Sequence, residues 1–372
     1  MAKSRKMKIL VLSTTNAFGA NGGIAKYNDD LFLSLAQNHK ISNVMVISRQ
    51  ANRENIVLPS KISNSAYSHK GKAFFALQSL ALIMQADVNY DLIICAHINL
   101  LPFAYIISRF KEIPVWCEIY GIDAWSPHRS FIVNGLLSKI TKFITISRYT
   151  KQRFIEWSQI DEDDVLILPP SFDPGEFQTG PKPDYLLKRY SVENKKILLT
   201  LARLDAQERY KGFDEVIEIL PALLKQIPNL VYVIAGDGQD KERLKNKAMA
   251  LGLGDKVVFT GFVSEDEKED HYRLADVFVM PGRGEGFGIV YLEAMACGIP
   301  VVASNADGSQ DAVRDGQLGI LVAPDNPEEI MNGILDALNN NERRPPDGLD
   351  YFSFENFQRR INNLLMKDFY NE

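Results

Sequence analysis

The chain of 372 residues holds only three cysteines, five histidines and three tryptophans. Cys95, Cys117 and Cys297 are scattered and show no metal-ligand spacing. That argues against a disulfide framework, suits a reducing compartment and leaves the three as packing residues. Long apolar runs are lacking too: no stretch reaches the roughly 18 uninterrupted apolar residues of a spanning helix. The start, Met1-Ala-Lys-Ser-Arg-Lys-Met-Lys, is basic like a signal peptide. The apolar run after it, Ile9 to Leu12, falls short of an h-region of about 7–15 residues and reads as a first strand. A cytosolic protein, at most peripheral to a membrane, is expected. No Gly-Lys-Ser/Thr phosphate loop, sequence repeat or low-complexity segment occurs. No nucleic-acid partner is expected.

What is present is the composition of a soluble globular protein, 46% hydrophobic and 24% charged. The net charge of −5 hides an asymmetry. Residues 1–168 carry about +6 and the remainder about −11. A basic first half could face anionic lipid or a phosphorylated acceptor; charge complementarity between domains is the alternative.

Short Val/Ile-rich runs alternate with amphipathic helical stretches. The runs are Lys8–Ser13, Val44–Ile47, Leu92–Cys95, Val115–Glu118 and Phe143–Ile146 in the first half. In the second they are Ile197–Leu201, Val231–Ala235, Val257–Thr260, Val277–Met280, Val301–Ala303 and Gly319–Val322. Helical patterns lie between them, for example Asp214–Gln226, Lys241–Leu251 and Glu329–Leu338. Such alternation predicts an α/β fold of doubly wound parallel sheets. One Pro- and Gly-rich stretch, 169–189, breaks it and reads as a linker. The chain thus divides into a first Rossmann-like domain, 1–168, and a second, 190–350. A last stretch, 351–372, is expected as a helix crossing back toward the first domain.

Ligands of such sheets sit beyond the carboxyl ends of the strands, and those ends are polar or glycine-rich here. Gly22 and Gly23 follow the first strand. Arg203 and Lys211 follow the strand that opens the second domain, where two cations would clamp a diphosphate. Gly236 and Gly238 follow the next, then Phe262 and Val263, whose apolar backbone could hold a flat base. The densest segment is Pro281-Gly-Arg-Gly-Glu285-Gly286-Phe287-Gly288-Ile-Val-Tyr-Leu-Glu293. Amides at the helix start near Ile289 favour an anion. Glu285 and Glu293 repel anions but accept hydrogen bonds from hydroxyls. A ligand that satisfies both carries phosphate and polyol together, as a nucleotide sugar does.

These residues together resemble the retaining, nucleotide-sugar-dependent glycosyltransferases of family 4, along nearly the whole chain. The most specific part is Glu285 to Glu293, which is similar to the family's E-x7-E motif. The resemblance implies the GT-B fold, two Rossmann-like domains facing a cleft, and no cofactor or metal. It implies that Glu285, Arg203 and Lys211 carry catalysis. Glu285 and the Gly286–Gly288 segment with Phe287 would hold sugar and phosphate, Glu293 the ribose, and Phe262 and Val263 the base. Gly236 and Gly238 would line the donor site, and Gly22 and Gly23 would complete it from the opposite domain. One departure stands out. Where the family often has His-Gly-x-Asp/Glu, this chain has Tyr120-Gly121-Ile122-Asp123. A phenol with an ordinary pKa near 10 is a poor base at neutral pH. Tyr120, Asp123 and the strand-end His97 are the acceptor-side candidates. The expected partners are a GDP- or UDP-linked sugar and a saccharide or lipid-linked saccharide acceptor. Asp307-Gly-Ser-Gln-Asp311 resembles bacterial polysaccharide mannosyl- and glucosyltransferases, which favours GDP-mannose. A nucleotide-sugar epimerase and a non-catalytic nucleotide-sugar-binding subunit remain alternatives; no pyridoxal-phosphate lysine setting marks a phosphorylase.

Two signals read differently. Asp161–Asp164 is a solvated acidic loop rather than a metal site. Lys70–Met84, apolar at helical spacing behind basic residues, reads as core packing, with membrane-surface contact as the alternative.

Overall fold

A computed structural model describes residues 5–19, 22–49, 57–64, 75–77, 81, 89–340 and 342–370. Most of the stretch Lys70–Met84 lies outside them. The chain forms two units, residues 1–171 with 354–372, and residues 172–353.

Among the described residues the first unit holds seven strands: β1 (Met7–Ser13), β2 (Ile41–Ser48), β3 (Ile62–Asn64), β4 (Leu92–Cys95), β5 (Val115–Ile119), β6 (Lys142–Thr145) and β7 (Val165–Ile167). Their order is β3-β2-β1-β4-β5-β6-β7, every pairing parallel. Successive side chains of a strand point to opposite faces. On one face Leu10, Leu12, Ile93, Cys95, Val115 and Cys117 pack with Leu101, Ala104 and Ile107 of the helix Leu101–Lys111. On the other, Trp116 meets Phe369 of the helix Phe354–Phe369. That helix buries Phe357, Ile361 and Leu365 at a helical period and lies along the helix Gly23–Gln37. Asn38 Nδ2 donates to Asn362 Oδ1 of the helix Phe354–Phe369 at 2.7 Å.

The second unit holds β8 (Lys196–Leu201), β9 (Leu230–Ala235), β10 (Val257–Gly261), β11 (Val277–Met280), β12 (Val301–Ser304) and β13 (Ile320–Val322), in the order β10-β9-β8-β11-β12-β13. All pairings are again parallel. The helix Phe213–Gln226 presents Val216, Ile217, Leu220 and Leu223 to this sheet. Asp214 and Glu215 in its first turn complement the helix dipole. The stretch read as a linker, 169–189, contains most of the helix Asp184–Tyr190, which packs on the helix Glu265–Leu274. All three cysteines are free and buried.

In each unit the strand order reverses once, between β1 and β4 and between β8 and β11. Loops that leave two neighbouring strands in opposite directions open a crevice at such a switch point. Arg203 and Lys211 leave β8, and Glu285 leaves β11, so topology alone puts them on the two sides of the second unit's crevice.

Candidate active site

Lys211 is the centre of the second unit's carboxyl edge. Its Nζ donates to Glu285 Oε1 and lies 3.7 Å from Glu208 Oε2. Burial pulls the ammonium's pKa down, but the Glu285 and Glu208 carboxylates outweigh it, and the net shift is upward. The lysine is therefore held charged. Arg203 pairs with Glu208 through one nitrogen, and its side chain is otherwise open to solvent, 76% exposed. Two cations and two carboxylates thus alternate across one edge, one cation half-buried and one largely exposed.

Glu285 is fixed from behind. Its backbone N–H donates to Asp307 Oδ2 at 2.9 Å, and its carbonyl accepts from Gly308 N at 2.8 Å. Asp307 is fully buried and also receives the Ser309 N–H at 2.9 Å. Burial raises its carboxyl to about 6, and the Ser309 and Glu285 hydrogen bonds partly oppose that. A Cβ at Gly308 would fall on the Gly286 carbonyl, so glycine is required there for the two loops to touch. Beyond Glu285 the helix Ile289–Ala296 starts at Gly288 with no side-chain cap and no acid in its first turn. Its leading amides remain available to an anion.

The other donor-side candidates differ in how they are packed. Gly236 and Gly238 have φ of 143° and 155°, and a Cβ on either would strike the carbonyl of Ala202 or Leu204. They let the β9 loop seat the Arg203 loop. The Phe287 side chain is buried and packs edge-on against Phe352, ring centroids 5.4 Å apart. Only its main chain is left for a ligand. Glu293 is 5% exposed, and both its oxygens are engaged: Lys268 Nζ at 2.7 Å and the Tyr272 hydroxyl at 2.6 Å. Phe262 is the opposite case, an aromatic ring 73% exposed, with Val263 half-buried beside it.

In the first unit Gly22 caps the helix Gly23–Gln37 with φ 104°, and both glycines are exposed. The acceptor-side candidates are already engaged. The Tyr120 hydroxyl donates to Glu118 Oε2 and lies 3.1 Å from Asn28 Oδ1 and 3.3 Å from the Ala96 carbonyl. Burial, then the Glu118 charge, pushes the phenol well above its usual pKa. Glu118 itself is buried, and burial raises it to about 7 against the Tyr120 hydrogen bond. Asp123 accepts the Tyr120 backbone N–H at 3.1 Å and closes that turn; burial raises it to about 6. His97 Nδ1 accepts the Asn99 N–H at 3.1 Å. Burial, then the charges of Arg49 and His128, lowers His97 to about 4. It is a neutral ring with its proton on Nε2.

Sequence reasoning missed Glu208, Asp307 and Glu118. Only Glu118 left a clear signal, a carboxylate inside the apolar run Val115–Glu118. Among the described residues no group of His, Cys, Asp or Glu could hold a metal ion, and no helix is long and apolar enough to cross a membrane.

Residues 186–345 match the family described as Glycosyl transferases group 1, and residues 21–176 match Glycosyltransferase Family 4. A GDP-mannose-dependent alpha-(1-6)-phosphatidylinositol monomannoside mannosyltransferase of Mycolicibacterium smegmatis is 36% identical over 228 residues, 58% of each chain. Its Mycobacterium tuberculosis counterpart is 34% identical over 53% of this chain and 52% of its own. The chain therefore spans a little over half the length of these curated relatives. The crystal structure of Anabaena HepE in complex with UDP superposes with a TM-score of 0.76 at 21% identity, over 97% of this chain and 100% of that one. Two glycosyltransferase matches, one on each unit, and two parallel-sheet α/β units with GT-B neighbours place the chain in this family: it belongs to the group 1 and family 4 glycosyltransferases.

Proposed function

We propose that the protein is a retaining glycosyltransferase that moves a hexose from a nucleoside diphosphate sugar to an acceptor hydroxyl in polysaccharide or glycolipid synthesis. The observation that carries this reading is the Lys211–Glu285 pair beside the uncapped start of the helix Ile289–Ala296. A donor entering there gives Lys211 and Arg203 a diphosphate and gives the Glu285 carboxylate sugar hydroxyls. Phe262 supplies an exposed aromatic face for the base.

In the reaction the bond from the anomeric carbon to the β-phosphate oxygen breaks, and the acceptor oxygen bonds to that carbon on the same face. The acceptor proton passes to the leaving phosphate oxygen. Lys211, Arg203 and the helix amides stabilise the charge that develops on that diphosphate, so positioning and electrostatics do the catalysis without a metal. No side-chain base is required, which fits a phenol at position 120 whose pKa is raised. The mannosyltransferases among the relatives favour GDP-mannose as donor. UDP-glucose is the second choice. Free, buried cysteines suit a cytoplasmic enzyme. The basic first half suits a saccharide or lipid-linked acceptor presented at an anionic membrane face.

Thermal shift with GDP, UDP, GDP-mannose and UDP-glucose tests the reading. A ligand at 100 times its Kd stabilises the native state by about 2.7 kcal/mol. GDP and GDP-mannose should raise the midpoint, and GDP-mannose should release GDP slowly even without acceptor. No shift with any of the four would sink the proposal.

A further inference from the structure

The loop that carries Glu285 is anchored by a side chain that the proposed chemistry does not use. Its sequence is Gly282-Arg283-Gly284-Glu285. A Cβ at Gly282 would press on the Tyr210 carbonyl and one at Gly284 on the Tyr210 ring. Arg283 N donates to that same Tyr210 carbonyl at 2.8 Å. The backbone of this loop therefore lies flat on Tyr210, the residue before Lys211. Of residues 282–284 only Arg283 has a side chain, and it leaves on the other side. Its Nη1 donates to Glu215 Oε1, and its Nη2 donates to the Pro324 carbonyl at 2.6 Å.

Those partners matter because of where they sit. Glu215 stands in the first turn of the helix Phe213–Gln226, four residues after Lys211. Pro324 follows β13. One guanidinium thus ties the β11 loop to the β8 loop's helix and to the β13 loop. The charges are well set for it. Glu215 lies in the first turn of a helix, where its carboxylate faces the positive end of the dipole, and is 18% exposed as a side chain against 41% for Arg283. The other Glu215 oxygen is buried without a partner among the described residues, so the carboxylate depends on Arg283 for neutralisation.

We propose that Arg283 and Glu215 are positioning residues for the donor site: their ion pair holds the Glu285 loop in the register that lets Glu285 meet Lys211. The inference rests on the glycosyltransferase reading above for its effect on turnover, but not for its effect on the loop. Loss of the pair lets the loop lift from Tyr210, and Glu285 leaves the sugar while Lys211 and Arg203 keep the diphosphate.

The test uses the full chain and four variants, Arg283→Gln, Arg283→Lys, Glu215→Gln and the Arg283→Gln/Glu215→Gln double variant. With GDP-mannose, Arg283→Gln should lower kcat/KM about tenfold or more, as a small misplacement of a catalytic group does. Its Kd for GDP should move less than about threefold, because the diphosphate cations remain. Arg283→Lys should recover most of the loss. The double variant should be no worse than Arg283→Gln, since each change removes the same contact. In the ligand-free protein, amide hydrogen exchange over residues 284–286 should speed up in Arg283→Gln. Unchanged exchange, or wild-type kcat/KM in Arg283→Gln, or additive losses in the double variant would overturn the proposal. If the wild-type chain turns over no donor while Arg283→Gln still frees the loop, the glycosyltransferase reading fails and the anchoring role stands.

Discussion

The two carboxyl edges share a topology and use polar residues in opposite ways. In the second unit the charged groups oppose one another across the edge: Lys211 faces Glu285, Arg203 faces Glu208, and the Arg203 side chain is largely in solvent. A ligand can exchange for those contacts with like chemistry, phosphate for carboxylate and hydroxyl for ammonium. In the first unit the polar groups are consumed locally. Tyr120 is closed into a buried network with Glu118 and Asn28, Asp123 caps the Tyr120 turn, and His97 caps the turn that follows it. The second edge thus pairs its charges near solvent, and the first buries its polar groups in a local network that leaves only Glu118 Oε1 of that carboxylate without a partner among the described residues. Family position therefore does not fix what a residue does. Tyr120 stands where a site histidine is usual, yet its hydroxyl faces inward.

The largest effect that could break this contrast is on turnover. Glu285→Gln and Lys211→Met should each reduce transfer by about a hundredfold or more, the range found for single groups that stabilise a transition state. Both variants should stay folded, because the Lys211 and Glu285 side chains are part-exposed, 13% and 15%, and Glu208 keeps Arg203 as a partner. Tyr120→Phe should change turnover less than about threefold. A Tyr120→Phe loss as large as that of Glu285→Gln would erase the distinction between the edges.

Next in size is the effect of the close contacts. Gly236→Ala would drive a methyl group onto the Ala202 carbonyl at a φ of 143°. We expect a loss of about 3 kcal/mol or more, as for other backbone strain with overpacking, read as a lower denaturation midpoint of the second unit. Gly22→Ala has open space around its Cβ and should cost only the strain of its positive φ, about 1 kcal/mol. Equal losses at the two glycines would show that Gly236 does not support the Arg203 loop.

The sequence made the strands of both sheets legible because parallel strands buried on both faces read as unbroken apolar runs. It hid β3, the three-residue edge strand Ile62–Asn64, which has a single apolar residue and so carries no pattern. The site was legible as a set of strand ends, since glycine and charge cluster there. Its pairings were not. Lys211 and Glu285 are 74 residues apart, and only the β8–β11 adjacency joins them. Phe287 and Glu293 show what spacing leaves open. A spacing tells that a residue lies near a helix start, but the direction of its side chain depends on what else packs there: Phe352 in one case, Lys268 and Tyr272 in the other.

The smallest predicted effect is also the sharpest test of the first edge as scaffold, because it turns on protons. Burial raises Asp29 to about 7, Glu118 to about 7 and Asp123 to about 6 in the first unit, and Asp307 to about 6 in the second. An acid whose folded pKa lies above its unfolded one binds more protons folded than unfolded between those two values. The stability slope with pH is then negative across that window. For Glu118 the stabilisation is full below about 4.5 and is lost as pH rises to about 7. His97, lowered to about 4, works against this trend between its folded and unfolded values. Glu118→Gln removes one titrating group while its amide oxygen still accepts the Tyr120 hydroxyl. Its melting temperature should therefore fall less than the wild type's between pH 5 and pH 8. The gain at pH 8 should be about 2–4 °C per kcal/mol of relieved charge burial. Parallel melting curves for the two proteins across that range would mean that Glu118 is already ionised or solvated in the folded state. In that case the first edge is an open site like the second.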